Sequence, residues 1–324
     1  MKKIYQKLRA YYLIITAYLY DIRRYMKYSN SLNKLSNENK VKGLLTMTYH
    51  VIEKGLTMPE TRLGFGAKPL NTLIDLCELY IHRNYNCSEM EFTHSIMILN
   101  EYVDFHRQHN YNLEQILLDK IQSLSIKVDI FQKSEQLIFR KSDFIKYKHA
   151  DFKQFCESRY TVRNYSSKDI PIDILQDCVN LAQKSPSACN RQPNRIYIIK
   201  NKEIIKQALS LQNGNRGFGD LANALVVFTS DVSVFQSAFE RNESYLNSGM
   251  FAMTFAYALH YYEIGSCALN WSVSKDRDGK MRRLLNVPER EVITLVMSCG
   301  YLPDEFNVAK SPRFDGLNVT KLIV

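Results

Sequence analysis

The sequence predicts an α+β fold in which an all-α N-terminal region, residues 1–148, precedes a mixed helix-and-strand domain, residues 149–324. Two observations carry this. Through the first third of the chain apolar residues recur at steps of three and four, the period of a helix face. From Phe152 onward, short apolar and β-branched runs alternate with helical stretches, the pattern of strands interleaved with helices. At 324 residues, 45% hydrophobic and 23% charged, the chain is long enough for two cores and too apolar for a disordered one.

Residues 4–28 place Ile4, Leu8, Tyr11, Ile15, Tyr18, Ile22 and Tyr25 along one seam of a helix. Its apolar centre, Tyr11–Tyr20, is about half of a membrane span. Two readings stand: the seam packs on the rest of the protein or a partner subunit, or it lies in a membrane surface, held by flanking Lys and Arg. A polar loop, Ser29–Asn39, leads to a second helix ending in Y-H-V-I-E-K-G-L-T-M-P-E-T-R-L-G-F-G-A-K-P. Gly55 and Pro59 are helix-stopping signals, and Gly64 and Gly66 bracket Phe65 in a tight loop. The stretch reads as a structural turn, with Glu53, Lys54 and Arg62 as the polar residues able to reach a neighbouring site. Helical patterns follow near 70–84, 89–108 and 112–126, and the charged run Lys133–Asp151 reads as the connector between halves.

In the second half, Pro171 opens a helix that buries Ile174, Leu175, Cys178, Val179 and Ala182. Strands are predicted at Arg195–Lys200, Leu225–Ser230, Ser266–Trp271 and Val292–Ser298, with a long helix over Ser233–Glu263 between the second and third. Small residues Gly249, Ala252, Ala256 and Ala258 let another helix approach it. Asn286-Val287-Pro288 ends a short helix before the last internal strand, and the alternating tail Leu317–Val324 reads as one more strand.

Charge and cysteine usage exclude several classes. Of the net +10, +6 sits on residues 1–28 (Lys2, Lys3, Lys7, Arg9, Arg23, Arg24 and Lys27 against Asp21), which leaves too little elsewhere for a nucleic-acid surface. The seven cysteines (77, 87, 156, 178, 189, 267, 299) are odd in number and form no C-x-x-C pair, so reduced thiols in a cytoplasmic setting are expected, with no disulfide framework. No third ligand joins His106 and His109, so no metal site is expected. Neither a Ser-His-Asp nor a Cys-His set emerges, and hydrolytic catalysis is not predicted.

The chemistry points to Cys156–Tyr197. In C-E-S-R-Y-T-V-R-N-Y, Arg159 and Arg163 stand four residues apart, on one face if the segment is helical. Guanidinium groups bind phosphate oxygens bidentately. The later loop S-P-S-A-C-N-R-Q-P combines small residues, which let a flat ring approach the backbone, with amides that match a donor–acceptor ring edge. These two motifs, in this order and with K-S-P-R near the C-terminus, resemble the nitroreductase family of FMN-dependent oxidoreductases. The resemblance covers roughly Phe152–Val324. The 50–69 stretch is similar to the N-terminal extension of nitroreductase-like proteins from polysaccharide-synthesis gene sets.

The resemblance implies a nitroreductase-like mixed sheet flanked by helices, a homodimer built on the central helix, and a tail that crosses to the partner's sheet. It implies that Arg159 holds the FMN phosphate, with Tyr160 and Thr161 beside it and Lys310 and Arg313 completing the grip. Tyr160 stands where the family often has a basic residue or histidine. Arg163 falls near the ring edge that gathers negative charge on reduction, and so tunes reactivity. Pro186, Ser187 and Ala188 pass along the ring, Asn190 and Gln192 reach its polar edges or the ribityl chain, and Asn215 and Arg216 align loosely with a ring-contacting position. Asn194 replaces an aromatic residue common after the Gln-Pro. Ala268–Ser272 backs the ring, where Trp271, the only tryptophan, reads equally as a structural residue. The implied activity is hydride transfer from NAD(P)H through FMN to a small organic acceptor in a ping-pong cycle. The alternatives are a flavin-dependent dehydrogenase or dehalogenase of a biosynthetic intermediate, and a scaffold that keeps the fold without turnover.

Overall fold

A computed structural model describes residues 2–28, 35–127, 136–235 and 238–323. In chain order its helices and strands are α1 (Lys2–Tyr28), α2 (Glu38–Leu56), α3 (Ala67–His82), α4 (Met90–Gln108), α5 (Gln115–Lys127), β1 (Leu137–Arg140), α6 (Lys141–Ile145), α7 (Phe152–Glu157) and α8 (Ile172–Ala182). There follow β2 (Asn194–Ile199), α9 (Lys202–Leu211), β3 (Ala224–Asp231), α10 (Glu243–Tyr261), β4 (Ile264–Asn270), α11 (Lys275–Leu285), β5 (Glu291–Tyr301), β6 (Glu305–Val308) and α12 (Gly316–Val319). Two units divide the chain: residues 1–20 with 138–307, and residues 21–137 with 308–324.

The helical unit is built on the stripes read from the sequence. Asn37 caps α2 by accepting from the Lys40 amide at 3.1 Å. Leu45 and Ile52 of α2, Leu73 and Ile74 of α3, and Phe92, Ile96 and Leu99 of α4 are fully buried together. The Gly-Phe-Gly loop is fixed from three sides. A Cβ on Gly55 would lie 2.0 Å from the Phe65 ring, so glycine there is what lets the ring lie against the helix end. Tyr102 Oη donates to the Phe65 carbonyl at 2.7 Å, and the Gly64 amide donates to His106 Nε2 at 2.9 Å.

In the other unit, the strands run in the order β2-β3-β5-β4 and every pairing among them is antiparallel, where a mixed sheet was expected. Val226 and Phe228 of β3 and Met297 of β5 share a buried core with Leu175 and Cys178 of α8 and Phe251, Phe255 and Leu259 of α10. Strand β3 is buried along its whole length, as befits a central strand covered on both faces.

Three expectations are corrected. The region 1–148 contains a strand, because β1 pairs with β6, too far along the chain to leave a local hairpin signal. The long helix over 233–263 begins only at Glu243. Upstream, the Asp231 carboxylate accepts from the Ser233 amide at 2.9 Å and tightens Val232–Val234 into a 3₁₀ turn. The tail is not a strand. Asp315 accepts from the Leu317 amide at 2.8 Å and starts the single turn α12. Leu317, Val319, Leu322 and Ile323 are left 71–86% exposed. Within the single chain the α1 seam residues Ile4, Leu8, Tyr11, Ile15, Tyr18 and Ile22 are 48–66% exposed, which leaves the partner-subunit and membrane-surface readings of the seam open. The Tyr25 side chain lies outside the described residues.

Candidate active site

Arg159 and Arg163 do not share a helix face. Helix α7 stops at Glu157, and the following residues run without regular structure. What stops it is the sheet. The Val162 amide donates to the Ser266 carbonyl of β4 at 3.0 Å, and the Ser166 amide donates to the Tyr301 carbonyl of β5 at 2.8 Å. Two glycines make this approach possible. A Cβ on Gly265 would meet Val162 Cβ at 2.9 Å, and one on Gly300 would meet Tyr165 Cβ at 2.7 Å. The buried Tyr165 hydroxyl completes the attachment, 2.9 Å from both the Val162 carbonyl and Ser298 Oγ. The backbone contour allows the two arginines up to roughly 13 Å of separation, where one helix turn would give about 6 Å.

Each arginine thus has its own surroundings. Arg163 is 9% exposed, between the two residues pinned to the sheet. Arg159 is half-buried near the end of α10. Its charge is felt there by His260, which burial first, and the Arg159 guanidinium second, push down to about 4. The neutral His260 pairs through Nε2 with Ser158 Oγ at 2.9 Å. Tyr160 packs its ring 5.4 Å from that of Phe139, so its side chain joins an aromatic cluster with Phe144 and Phe306. Thr161 is half-buried beside it.

The second motif forms the loop before β2, held by polar contacts. The Ala188 amide donates to Asn247 Oδ1 of α10 at 2.8 Å, and the Gln192 amide donates to Ser187 Oγ at 3.0 Å. Arg191 ties the loop down, donating to the Val234 carbonyl at 2.9 Å and pairing with Glu240. Between these ties the backbone is strained. Cys189, Asn190 and Gln192 have φ of +51°, +54° and +49°, a region that costs a side-chain-bearing residue about 1–2 kcal/mol. Pro186, Cys189, Asn190 and Gln192 are exposed, while Ser187 and Ala188 are half-buried. Left-handed residues that persist because their surroundings hold them are a mark of ligand-binding loops.

The remaining candidates divide. Asn215 turns its amide into its own loop, donating to the Leu209 carbonyl at 2.8 Å and the Gln212 carbonyl at 3.0 Å, while Arg216 is exposed. In β4, Ala268 and Asn270 face outward, and the Trp271 indole N–H donates to Asp278 at 2.8 Å. Lys310 and Arg313 are exposed and belong to the helical unit. Sequence reasoning missed Asn247 and Arg191, which with Ser187 hold the loop. An asparagine on the apolar face of α10 was the available signal for the first. For the second, the partner Glu240 lies too far along the chain to be read.

The model of the nitroreductase family matches residues 156–301. An Archaeoglobus fulgidus protein, assigned by inference as an NADH dehydrogenase/NAD(P)H nitroreductase, is 26% identical over 151 residues, which cover 46% of this chain and 83% of that protein. An iodotyrosine deiodinase of Haliscomenobacter hydrossis is 29% identical over 79 residues, 24% of this chain and only 36% of its own length. The crystal structure of a nitroreductase family protein from Streptococcus pneumoniae aligns with a TM-score of 0.46 at 17% identity, covering 53% of this chain and all of that one. Residues 156–301 of the chain form a domain of the nitroreductase family, preceded by a helical region.

Proposed function

We propose that the protein is an FMN-dependent oxidoreductase that passes hydride from NAD(P)H to a small organic acceptor in a ping-pong cycle. The observation that carries this reading is the pairing of the two family motifs in one unit: an arginine-bearing segment fastened to the sheet and a strained, exposed loop of small residues and amides. The donor set fits FMN. Guanidinium forks suit its phosphate, and side-chain and backbone amides suit the donor–acceptor edge of its ring. When bound, FMN supplies the ring that accepts and gives up hydride. The protein's part is to bind, orient and set charge.

In this reading Arg159 holds the phosphate, with Tyr160 and Thr161 beside it, and Lys310 and Arg313 serve as further cations on the strength of the resemblance. Arg163, a buried cation, favours negative charge on the ring edge it faces. Ser187 and Ala188 lie along the ring, Pro186 flanks it, and Asn190 and Gln192 reach its polar edges. Asn215 acts by shaping its loop, with Arg216 exposed next to it. Homodimerisation is supported by the exposed Tyr245, Leu246 and Met253 on α10. A cytoplasmic location accords with the free cysteines. Among the described residues no helix is long and apolar enough to cross a membrane. A weak membrane-surface contact through α1 rests on its exposed seam.

Reductive dehalogenation is the second reading, favoured by the likeness to iodotyrosine deiodinase. One experiment tests the main reading. Purified protein should carry visible flavin absorbance that bleaches anaerobically on addition of NADPH or NADH and returns when an acceptor is added. A colourless protein that takes up no added FMN would overturn it.

A further inference from the structure

Arg159 stands between two anchors. Three residues after it, the Val162 amide donates to the Ser266 carbonyl of β4 at 3.0 Å. The residue just before it, Ser158, is tied to α10. Ser158 Oγ donates to the Phe155 carbonyl at 2.9 Å and lies 2.9 Å from His260 Nε2. A hydroxyl has one hydrogen, and the Phe155 carbonyl takes it. The second bond therefore runs from an Nε2–H of His260 to the serine oxygen, which fixes the tautomer of the ring.

His260 is 2% exposed. The rings of Phe144 and Phe155 wall it in, with centroids 5.2 and 5.1 Å from its own. Tyr257, one turn earlier on α10, packs its ring 5.8 Å from Phe155 and is hydrogen-bonded to Cys156. One face of α10 thus grips the end of α7 at two points, Cys156 and Ser158, immediately before Arg159. Tyr257 and His260 both feel the Arg159 charge, so the guanidinium lies beside the grip. Burial first, and that charge second, push His260 down to about 4, so it is neutral at ordinary pH. A neutral imidazole supplies the donor that Ser158 needs. It brings no negative charge to compete with an anionic ligand for the arginine.

We propose that His260 is a positioning residue for Arg159: through Ser158 it fixes the start of the segment, so that the guanidinium is held in place for the phosphate of FMN. This rests on the FMN reading above, and all the residues concerned belong to one unit. His260 acts through Ser158 and does not itself touch the cofactor.

The test compares FMN with riboflavin, which lacks the phosphate, in titrations of the full-length protein. The wild type should prefer FMN. Ser158→Ala removes the oxygen that His260 holds, and His260→Phe keeps a ring but removes the donor. Each should cut the FMN-over-riboflavin preference about tenfold, the weakening of a charge-assisted contact, with riboflavin affinity unchanged. Ser158→Thr keeps the oxygen and should keep the preference. Because the two residues act as one device, the double variant should lose no more than either single one. Folded Ser158→Ala protein with wild-type preference would overturn the proposal. Equal loss of both ligands would overturn it too, since that is the mark of a merely structural role, as would additive losses in the double variant. Should His260→Phe fail to fold, Ser158→Ala and Ser158→Thr decide alone. A wild type that binds FMN and riboflavin equally would remove the proposal and leave the flavin reading standing. A wild type that binds neither removes both.

Discussion

The two motif segments of the nitroreductase domain are held in opposite ways. Residues 162–166 are fastened to the sheet by buried groups: Val162 and Tyr165 against glycines of β4 and β5, and a tyrosine hydroxyl with two partners at 2.9 Å. The loop of residues 186–193 is held at Ala188, Arg191 and Gln192 by polar contacts, and Cys189, Asn190 and Gln192 are exposed and left-handed. The first arrangement fixes a charge in place, which is what electrostatic preorganisation requires. The second stores strain in a surface that a ligand covers. The contrast teaches that Arg163 belongs to the rigid part of the site and the ring seat to the adjustable part.

The contrast breaks first at Gly300. Its replacement by Ala would put a Cβ 2.5 Å from Asn223 Oδ1 and 2.7 Å from Tyr165 Cβ. Asn223 Oδ1 also accepts from the Tyr301 amide at 3.0 Å, so it cannot retreat without losing that bond. Overpacking of this kind costs about 1–3 kcal/mol or more. Thermal unfolding should show the largest fall in this variant. A melting temperature within error of wild type would mean that the segment is not pressed on the sheet.

Tyr165→Phe comes next. It keeps the ring and removes the hydroxyl, leaving the Val162 carbonyl and Ser298 Oγ short of a partner in the core. A loss of about 1–3 kcal/mol is expected from denaturant unfolding, and Arg163 should become more mobile with it. A stability change below about 0.5 kcal/mol would show that packing alone holds the segment.

Cys189→Gly probes the loop and should have the smallest effect. Relief of the left-handed strain, about 1–2 kcal/mol, is opposed by the greater freedom of glycine in the unfolded chain, about 0.5–1 kcal/mol. Stability should rise or stay level, within about 1 kcal/mol. A clear loss would mean that the Cys189 side chain holds the loop, and that the loop is not the adjustable part.

Most of the fold could be read from the chain because its signals are local. The α8 stripe from Leu175 to Ala182 and the apolar run of β3 state their own secondary structure. The failures were non-local or conditional. Arg159 and Arg163 have helical spacing, but hydrogen bonds to β4 and β5, more than a hundred residues later, override it. The Leu317–Val319 stretch alternates like a strand, yet Asp315 caps a helical turn there. In the site, the sequence displayed the chemically active residue types but not the residues that hold them. Asn247 and Tyr165 act through partners that only the fold brings near.

The most direct test of the account is an FMN titration of Arg159→Ala beside wild type, with thermal unfolding as the control for structure. Arg159 lies outside the pinned residues, so the variant should unfold close to wild type. Losing a guanidinium from a phosphate removes charge-assisted hydrogen bonds of about 1.5–3 kcal/mol, and the affinity should fall at least about tenfold. An unchanged FMN affinity in folded Arg159→Ala protein would contradict the assignment of the phosphate site.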